Sequence, residues 1–359
     1  MCRTGDGSDE IDGVGMTVRV GINGFGRIGR NFLRAARAQG APVEIVAVND
    51  LTDARTNAHL LRYDSTHGRF DGEIVVEDDA LVVDGHRIRV LAEREPKALP
   101  WEELGAEVVI EATGRFTRRA DAAAHLEGGA RRVIISAPSK DADATFVMGV
   151  NDGEFDPEAH VVISNASCTT NCFVPMVKVV DEAFGIVGGF MTTVHAYTND
   201  QNLLDLPHGD LRRARAAALN IVPASSGAAR ATHLVVPAMK GRLDGAALRV
   251  PIGDGSITDF TVVVAGTPTV DDVNEAFRAA SATGPLASVL DYTSDPIVSS
   301  DIVGSPASCI FDSELTLVVP VGEDRALVKV HGWYDNEWGY ANRLVDLVAL
   351  VGAPGPPAR

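Results

Sequence analysis

With 359 residues, 45% of them hydrophobic and 23% charged, the chain is long enough for two domains with full apolar cores. A net charge of −17 argues against a broad nucleic-acid or anionic-membrane surface, and no run approaches the ~18 consecutive apolar residues of a membrane span. The four cysteines, Cys2, Cys168, Cys172 and Cys309, lack the C-x-x-C spacing of a zinc site and are too sparse for a disulfide framework. A reducing cytoplasm fits, and no metal is expected in the chemistry.

Residues 1–15, MCRTGDGSDEIDGVG, lack the apolar stretch of a secretory signal, so a disordered tail is expected there, with Met16 as the biological start. Val18–Ile22 is a short apolar run suited to a buried parallel strand. It enters Gly24-Phe25-Gly26-Arg27-Ile28-Gly29, after which Ile28, Phe32, Leu33 and Ala36 mark one face of a helix. A second run, EIVAV, ends at Asn49-Asp50, and Asp50 stands 21 residues beyond Gly29. Bare glycines would mark only a turn. The strand before, the helix after and the acid at this distance make the string a dinucleotide fingerprint. Gly24 permits the turn, Gly26 lets backbone approach a pyrophosphate, and Gly29 lets helix and strand pack closely; Asp50 suits a ribose 2′-OH and repels a 2′-phosphate.

Further along, residues 73–92 alternate and carry Asp84-Gly85, a hairpin signal. Residues 107–114 and 130–139 read as strands, with a helix over 120–126 between them. The stretch VVISNASCTTNCFVPMVKVVDEAF is a strand followed by a helical pattern with Phe173, Met176, Val177 and Val180 apolar. Cys168 therefore falls at a helix start with Ser167 as cap, where free N–H groups and the dipole lower a thiol's pKa. Cys172, one turn on, reads as a small core hydrophobe. A strand over GGFMTTVHAYTNDQ places His195 near its end, 27 residues after Cys168; spacing alone does not bring the two together.

SNASCTTNC, TVHAYTNDQ, DLRRARAAA, KGRLDG, LRVP and WYDNEWGYANR occur in order, with NGFGRIGR and YDSTHGRF before them. Over about residues 17–350 this pattern resembles the NAD-dependent, phosphorylating glyceraldehyde-3-phosphate dehydrogenases of bacterial type. The resemblance implies an α/β fold: a Rossmann NAD-binding domain over 16–165, completed by a C-terminal helix over 336–351, and an α+β catalytic domain over 166–335 with a mostly antiparallel sheet. It implies a cytoplasmic homotetramer and a reaction in which Cys168 forms a hemithioacetal and then a thioester with D-glyceraldehyde 3-phosphate. His195 would be the base, paired with Cys168 as thiolate and imidazolium, and inorganic phosphate would release 1,3-bisphosphoglycerate.

For the cofactor, the matching positions are Gly24, Gly26, Arg27, Ile28, Gly29, Asp50, Arg94, Thr113, Ser136, Asn336 and Tyr340. The NAD-type pair Leu206-Pro207 accompanies Asp50. For the substrate phosphate they are Thr198, Asp200 and Arg249; for the attacking phosphate, Ser167, Thr169, Arg215, Ser226 and Gly227. The wording departs from the family over 151–156, 251–260 and 304–314, stretches expected in connecting loops or on sheet surface. The alternatives are an erythrose-4-phosphate dehydrogenase, which hydrolyses its thioester, and a redox-sensing or binding paralogue.

Overall fold

The computed structural model describes residues 17–353; the expected tail lies outside the described residues. The first sheet uses β1 (Val18–Asn23), β2 (Val43–Asn49) and, past the small ribbon β3 (Tyr63–Asp64) and β4 (Gly68–Arg69), β5 (Ile74–Glu77), β6 (Ala80–Val83) and β7 (His86–Leu91). It continues with β8 (Val108–Glu111), β9 (Arg132–Ile135), β10 (Ala144–Thr145) and β11 (Val162–Ser164), in the order β10-β11-β9-β8-β1-β2-β7-β6-β5. All pairings from β10 to β7 are parallel. Apolar runs such as β1 suit this arrangement, because helices bury both faces of a parallel sheet. The chain reverses its direction of travel across the sheet between β1 and β8, and that switch point leaves a crevice at the strand ends.

The glycine turn opens onto this crevice. Gly24 has φ +95°, and a Cβ there would lie 2.7 Å from Ala112 carbonyl carbon. At Gly29 a Cβ would come within 2.3 Å of Gly24 O, whereas at Gly26 it would meet nothing within 4 Å. Tight turn, close packing and open approach thus fall on the expected glycines. Gly29→Ala is expected to cost about 1–3 kcal/mol by forcing helix and turn apart; an unchanged thermal midpoint would refute the close packing.

Two expectations need correction. Residues 73–92 hold three strands, with a second turn at Asp78 besides the one at Asp84-Gly85 (φ 49° and 84°). The helix over 120–126 is two short turns, Arg119–Ala122 and Ala124–Glu127. There His125 is fully buried, its ring bonded to Glu111 Oε2 (3.0 Å) and to Trp101 Nε1 (3.0 Å), and this tertiary bonding overrides the local helical pattern.

The second sheet is built from β12 (Ile186–Ala196), β13 (Val222–Ser225), β14 (Leu243–Val250), β15 (Ser256–Ala265), β16 (Leu290–Thr293), β17 (Cys309–Asp312), β18 (Leu317–Pro320) and β19 (Arg325–Tyr334). Its order is β13-β14-β12-β15-β19-β17-β16, with β18 also on β19, and only β12–β14 and β16–β17 run parallel. One face carries the helix Cys168–Phe184, whose Phe173, Met176, Val177 and Val180 pack with Phe260, Val262 and Val328. The last helix, Trp338–Gly352, returns to the first sheet and buries Leu344, Leu347, Val348 and Val351 in the core of Val20, Ile22 and Phe32. Residues from both ends of the chain therefore share one core.

Candidate active site

A cleft of about 970 Å³ runs between the glycine turn and the second sheet. Its floor is the start of helix Cys168–Phe184. Ser167 caps this helix by accepting from Thr170 N at 3.0 Å, and Cys168 is its first residue. Just before the cap, Ala166 takes φ +55°, a left-handed conformation costing an L-residue about 1–2 kcal/mol. Bonds hold it there: Ala166 N donates to Ser164 Oγ (3.0 Å), and Tyr340 Oη donates to Ala166 O (3.0 Å). Strain held by surrounding structure at a helix start aims the thiol into the cleft.

His195 arrives from the end of β12 and is 4% exposed. Its Nε2 lies 3.4 Å from Cys168 Sγ. Register does this: β12 runs beside β14, with His195 opposite Arg249, while the helix start abuts the strand ends. Arg249 Nη1 reaches His195 Nδ1 at 2.8 Å, and Ala196 O lies 2.7 Å from the same nitrogen. Tyr334, buried behind the pair, shares its hydroxyl with Thr169 Oγ1 (2.9 Å) and Thr193 Oγ1 (2.7 Å), and its ring stands edge-on to His195 at 5.8 Å.

The electrostatics differ from the thiolate–imidazolium expectation. Burial, reinforced by Arg249, pushes the His195 imidazolium down to about 3. Burial pushes the Cys168 thiol up to about 11, against the opposing pull of Arg249 and the Thr169 N–H. Cys168 keeps part of its surface open to the cleft, so water moderates that rise; the direction still favours a neutral thiol beside a neutral imidazole.

Around this centre the cleft gathers Arg27, Ile28, Ser136, Ser167, Thr198, Asp200, Arg249, Asn336 and Tyr340 of the expected set. Asn336 Oδ1 accepts from Ser256 Oγ at 2.6 Å, which orients the amide. Asp50 is fastened against the glycine turn, its Oδ2 accepting from Phe25 N (3.0 Å) and its Oδ1 from Thr52 N (3.1 Å). Thr113 is tied to Glu111, and Arg94 is exposed.

Other expected residues point elsewhere. The Thr169 hydroxyl is occupied by Tyr334. Arg215 forms an exposed ion pair with Asp205 at 3.0 Å. Ser226 Oγ accepts from Ala228 N at 3.3 Å, so it and Gly227 start a short helix away from the cleft wall. Asp200 is engaged by Arg213, and Leu206 is 62% exposed. The departing segments also need correction: Asp254 and Cys309 are buried at 7% and 0% exposure, and a Cβ at Gly332 would lie 2.6 Å from Cys309 Sγ and 3.1 Å from Cys172 Sγ.

Sequence reasoning missed Tyr334, Ser256 and Glu337. Arg27 Nε donates to Glu337 Oε1 at 2.9 Å, tying the glycine turn to the start of the last helix. No local signal marks these pairings, since the partners lie far apart in the chain.

Two family models match the chain: the NAD binding domain of glyceraldehyde 3-phosphate dehydrogenase over residues 18–119 and its C-terminal domain over residues 167–336. The chain is 61% identical to a glyceraldehyde-3-phosphate dehydrogenase of Streptomyces coelicolor over 337 residues, covering 94% of this chain and 99% of the relative. It is 60% identical to that of Mycobacterium tuberculosis over 343 residues, with the same coverage. The chain belongs to the glyceraldehyde-3-phosphate dehydrogenase family. It is a dehydrogenase with glycolytic function whose cofactor is NAD. The structure fits that cofactor: open space at Gly26 faces a helix start, Asp50 borders the turn, and Asn336 lines the cleft beside Cys168. Among the described residues, no helix is long and apolar enough to cross a membrane.

Proposed function

We propose that this dehydrogenase is the phosphorylating type, converting D-glyceraldehyde 3-phosphate and inorganic phosphate to 1,3-bisphosphoglycerate. The observation that carries the reading is Cys168 Sγ at 3.4 Å from His195 Nε2, with Arg249 beside them in one cleft. Cys168 sulfur bonds to the aldehyde carbon, and its proton passes through His195 to the aldehyde oxygen. NAD, when bound, supplies the hydride acceptor for the oxidation. His195 then takes the hemithioacetal hydroxyl proton as the carbon becomes a thioester on Cys168. Phosphate oxygen attacks that thioester carbon, and the thiol leaves as the proton returns to sulfur.

Two groups compete for His195 Nδ1: Ala196 O at 2.7 Å, which accepts a proton from it, and Arg249 Nη1 at 2.8 Å, which donates to its lone pair. In the second arrangement the ring proton sits on Nε2, which is then no base. A substrate phosphate drawing Arg249 away lets Nδ1–H donate to Ala196 O and gives Nε2 the lone pair facing Cys168. The substrate's own phosphate thereby arms the base. Arg249→Leu is expected to raise KM and to move the acid limb of the acylation pH profile upward, because one of the two influences holding His195 down is gone. A shift in the opposite direction would refute the coupling.

Ser167, Thr169, Ser226, Gly227 and Arg215 are assigned to the attacking phosphate, and Thr198 and Asp200 to the substrate phosphate. Arg27, Ile28, Ser136, Asn336, Tyr340, Asp50, Thr113 and Arg94 are assigned to NAD, whose binding unit we take as 16–165 with the last helix; residues 166–335 form the catalytic unit. Arg215 can join the phosphate site only by leaving Asp205, an exposed and solvent-screened pair that holds it weakly. We take the chain to be a cytoplasmic homotetramer; its self-association is supported by exposed Leu203, Leu204, Leu211 and Leu219, each at least 70% exposed, and by Phe190 at 72% on the second sheet.

Phosphate dependence tests the function. Rapid NADH formation from glyceraldehyde 3-phosphate should require phosphate or arsenate. One burst per site, then slow turnover whatever the anion, would overturn the phosphorylating reading and make erythrose 4-phosphate the next substrate to try.

A further inference from the structure

The cleft wall contains a charged cluster that the dehydrogenase chemistry does not use. Asp254, from the loop between β14 and β15, and Asp335, from the turn before the last helix, meet His67, from the β3–β4 turn. One potential ligand atom from each lies within 4.8 Å of the others. His67 Nε2 stands 3.6 Å from Asp254 Oδ2 and 3.4 Å from Glu337 Oε2, and the side chains of His67 and Asp254 are 5% and 1% exposed. Both His67 Nε2 and Asp254 Oδ2 are buried without a hydrogen-bond partner. Leaving two such buried atoms unpaired is unfavourable.

The 3.6 Å between His67 Nε2 and Asp254 Oδ2 is longer than an ordinary hydrogen bond and suits two ligands of a shared cation. Bonds of about 2.1 Å put neighbouring ligand atoms roughly 3–3.6 Å apart. The ligands are also oriented from behind: Asp254 Oδ1 accepts from Gly255 N (2.8 Å), Asp335 Oδ1 from Trp338 N (2.6 Å), and Asp335 Oδ2 from Gly304 N (2.7 Å). Such backing fixes ligands before a metal arrives. Charge points the same way. Asp64, Asp254, Asp335 and Glu337 bring four carboxylates together, while Arg27 is the guanidinium bonded directly to Glu337 and Asp64. Arg30 and Arg34, bonded to the carbonyls of Phe25 and Leu61, bring the nearby guanidiniums to three against the four carboxylates. Glu337, Thr66 and Gly253 open onto the cleft and give an entry path.

We propose that His67, Asp254 and Asp335 form a binding site for one divalent cation of the manganese or zinc class, completed by water from the cofactor cleft. One imidazole with two carboxylates is the donor set such ions take. Asp254 supplies its ligand from a segment that departs from the family wording.

The test uses the full-length protein without cofactor and Mn²⁺ as the probe, because this hard ion avoids the Cys168 thiol. Free Mn²⁺ is followed by its electron paramagnetic resonance signal during titration. The expected result is one saturable site per chain, weakened at least about tenfold in both Asp254→Asn and His67→Gln. Near-ultraviolet circular dichroism checks that each variant is folded, and Asp254→Asn, close to isosteric, keeps the test decisive if His67→Gln does not fold. Absence of saturable binding, or binding of equal strength in wild type and Asp254→Asn, overturns the proposal.

Discussion

Cys168→Ser is expected to lower kcat/KM at least about 10⁴-fold while leaving NAD binding and thermal stability near wild type. Among the described residues lining the cleft, Cys168 is the only one placed both at a helix start and within reach of the His195 ring. A serine hydroxyl there would be a far weaker nucleophile, and its ester would transfer an acyl group to phosphate less readily than a thioester. The wild-type enzyme, mixed with aldehyde and NAD without phosphate, should gain the mass of one acyl group at Cys168, and the variant should gain none. An acyl adduct on Cys172 or Cys309 would defeat the assignment, although both thiols are fully buried and lie outside the lining of the cleft.

His195→Asn carries the second large effect, a fall of about 10² to 10⁴ in turnover, the usual range for a general acid–base group. The structure also says which property should not move. With the imidazolium held down to about 3 and the thiol up to about 11, both by burial first, the resting pair is neutral. Alkylation of Cys168 by iodoacetamide near neutral pH should therefore slow by less than about tenfold in the variant, since tenfold corresponds to one unit of thiol pKa. A larger fall would show that an imidazolium sustains a thiolate before substrate arrives. The two readouts separate a base that acts during the reaction from one that acts beforehand.

How far the sequence reached depends on whether each residue acts with its neighbours in the chain. The glycine turn was legible because its three glycines and the following helix form one local unit, and φ at Gly24 and crowding at Gly29 follow from that unit alone. The start of the catalytic helix was legible for the same reason, through Ser167 and the apolar spacing behind it. The strained Ala166 was not, because its conformation depends on Tyr340, 174 residues away. Asp254 looked like a loop residue until His67 and Asp335 closed around it.

The phosphate sites show the division most clearly. The family resemblance implied all the members, yet the fold brings Ser167, Thr198, Asp200 and Arg249 to the cleft and turns Thr169 to Tyr334 and Arg215 to Asp205. By itself the sequence determined two apolar cores, a dinucleotide turn and a thiol at a helix start, because local backbone geometry and side-chain periodicity specify these directly. Only the tertiary structure decided that Cys168 meets His195, that Arg249 sits on the far ring nitrogen, and that burial favours a neutral resting pair. Those depend on strand register and on the exclusion of water, which are set by residues distant in the chain.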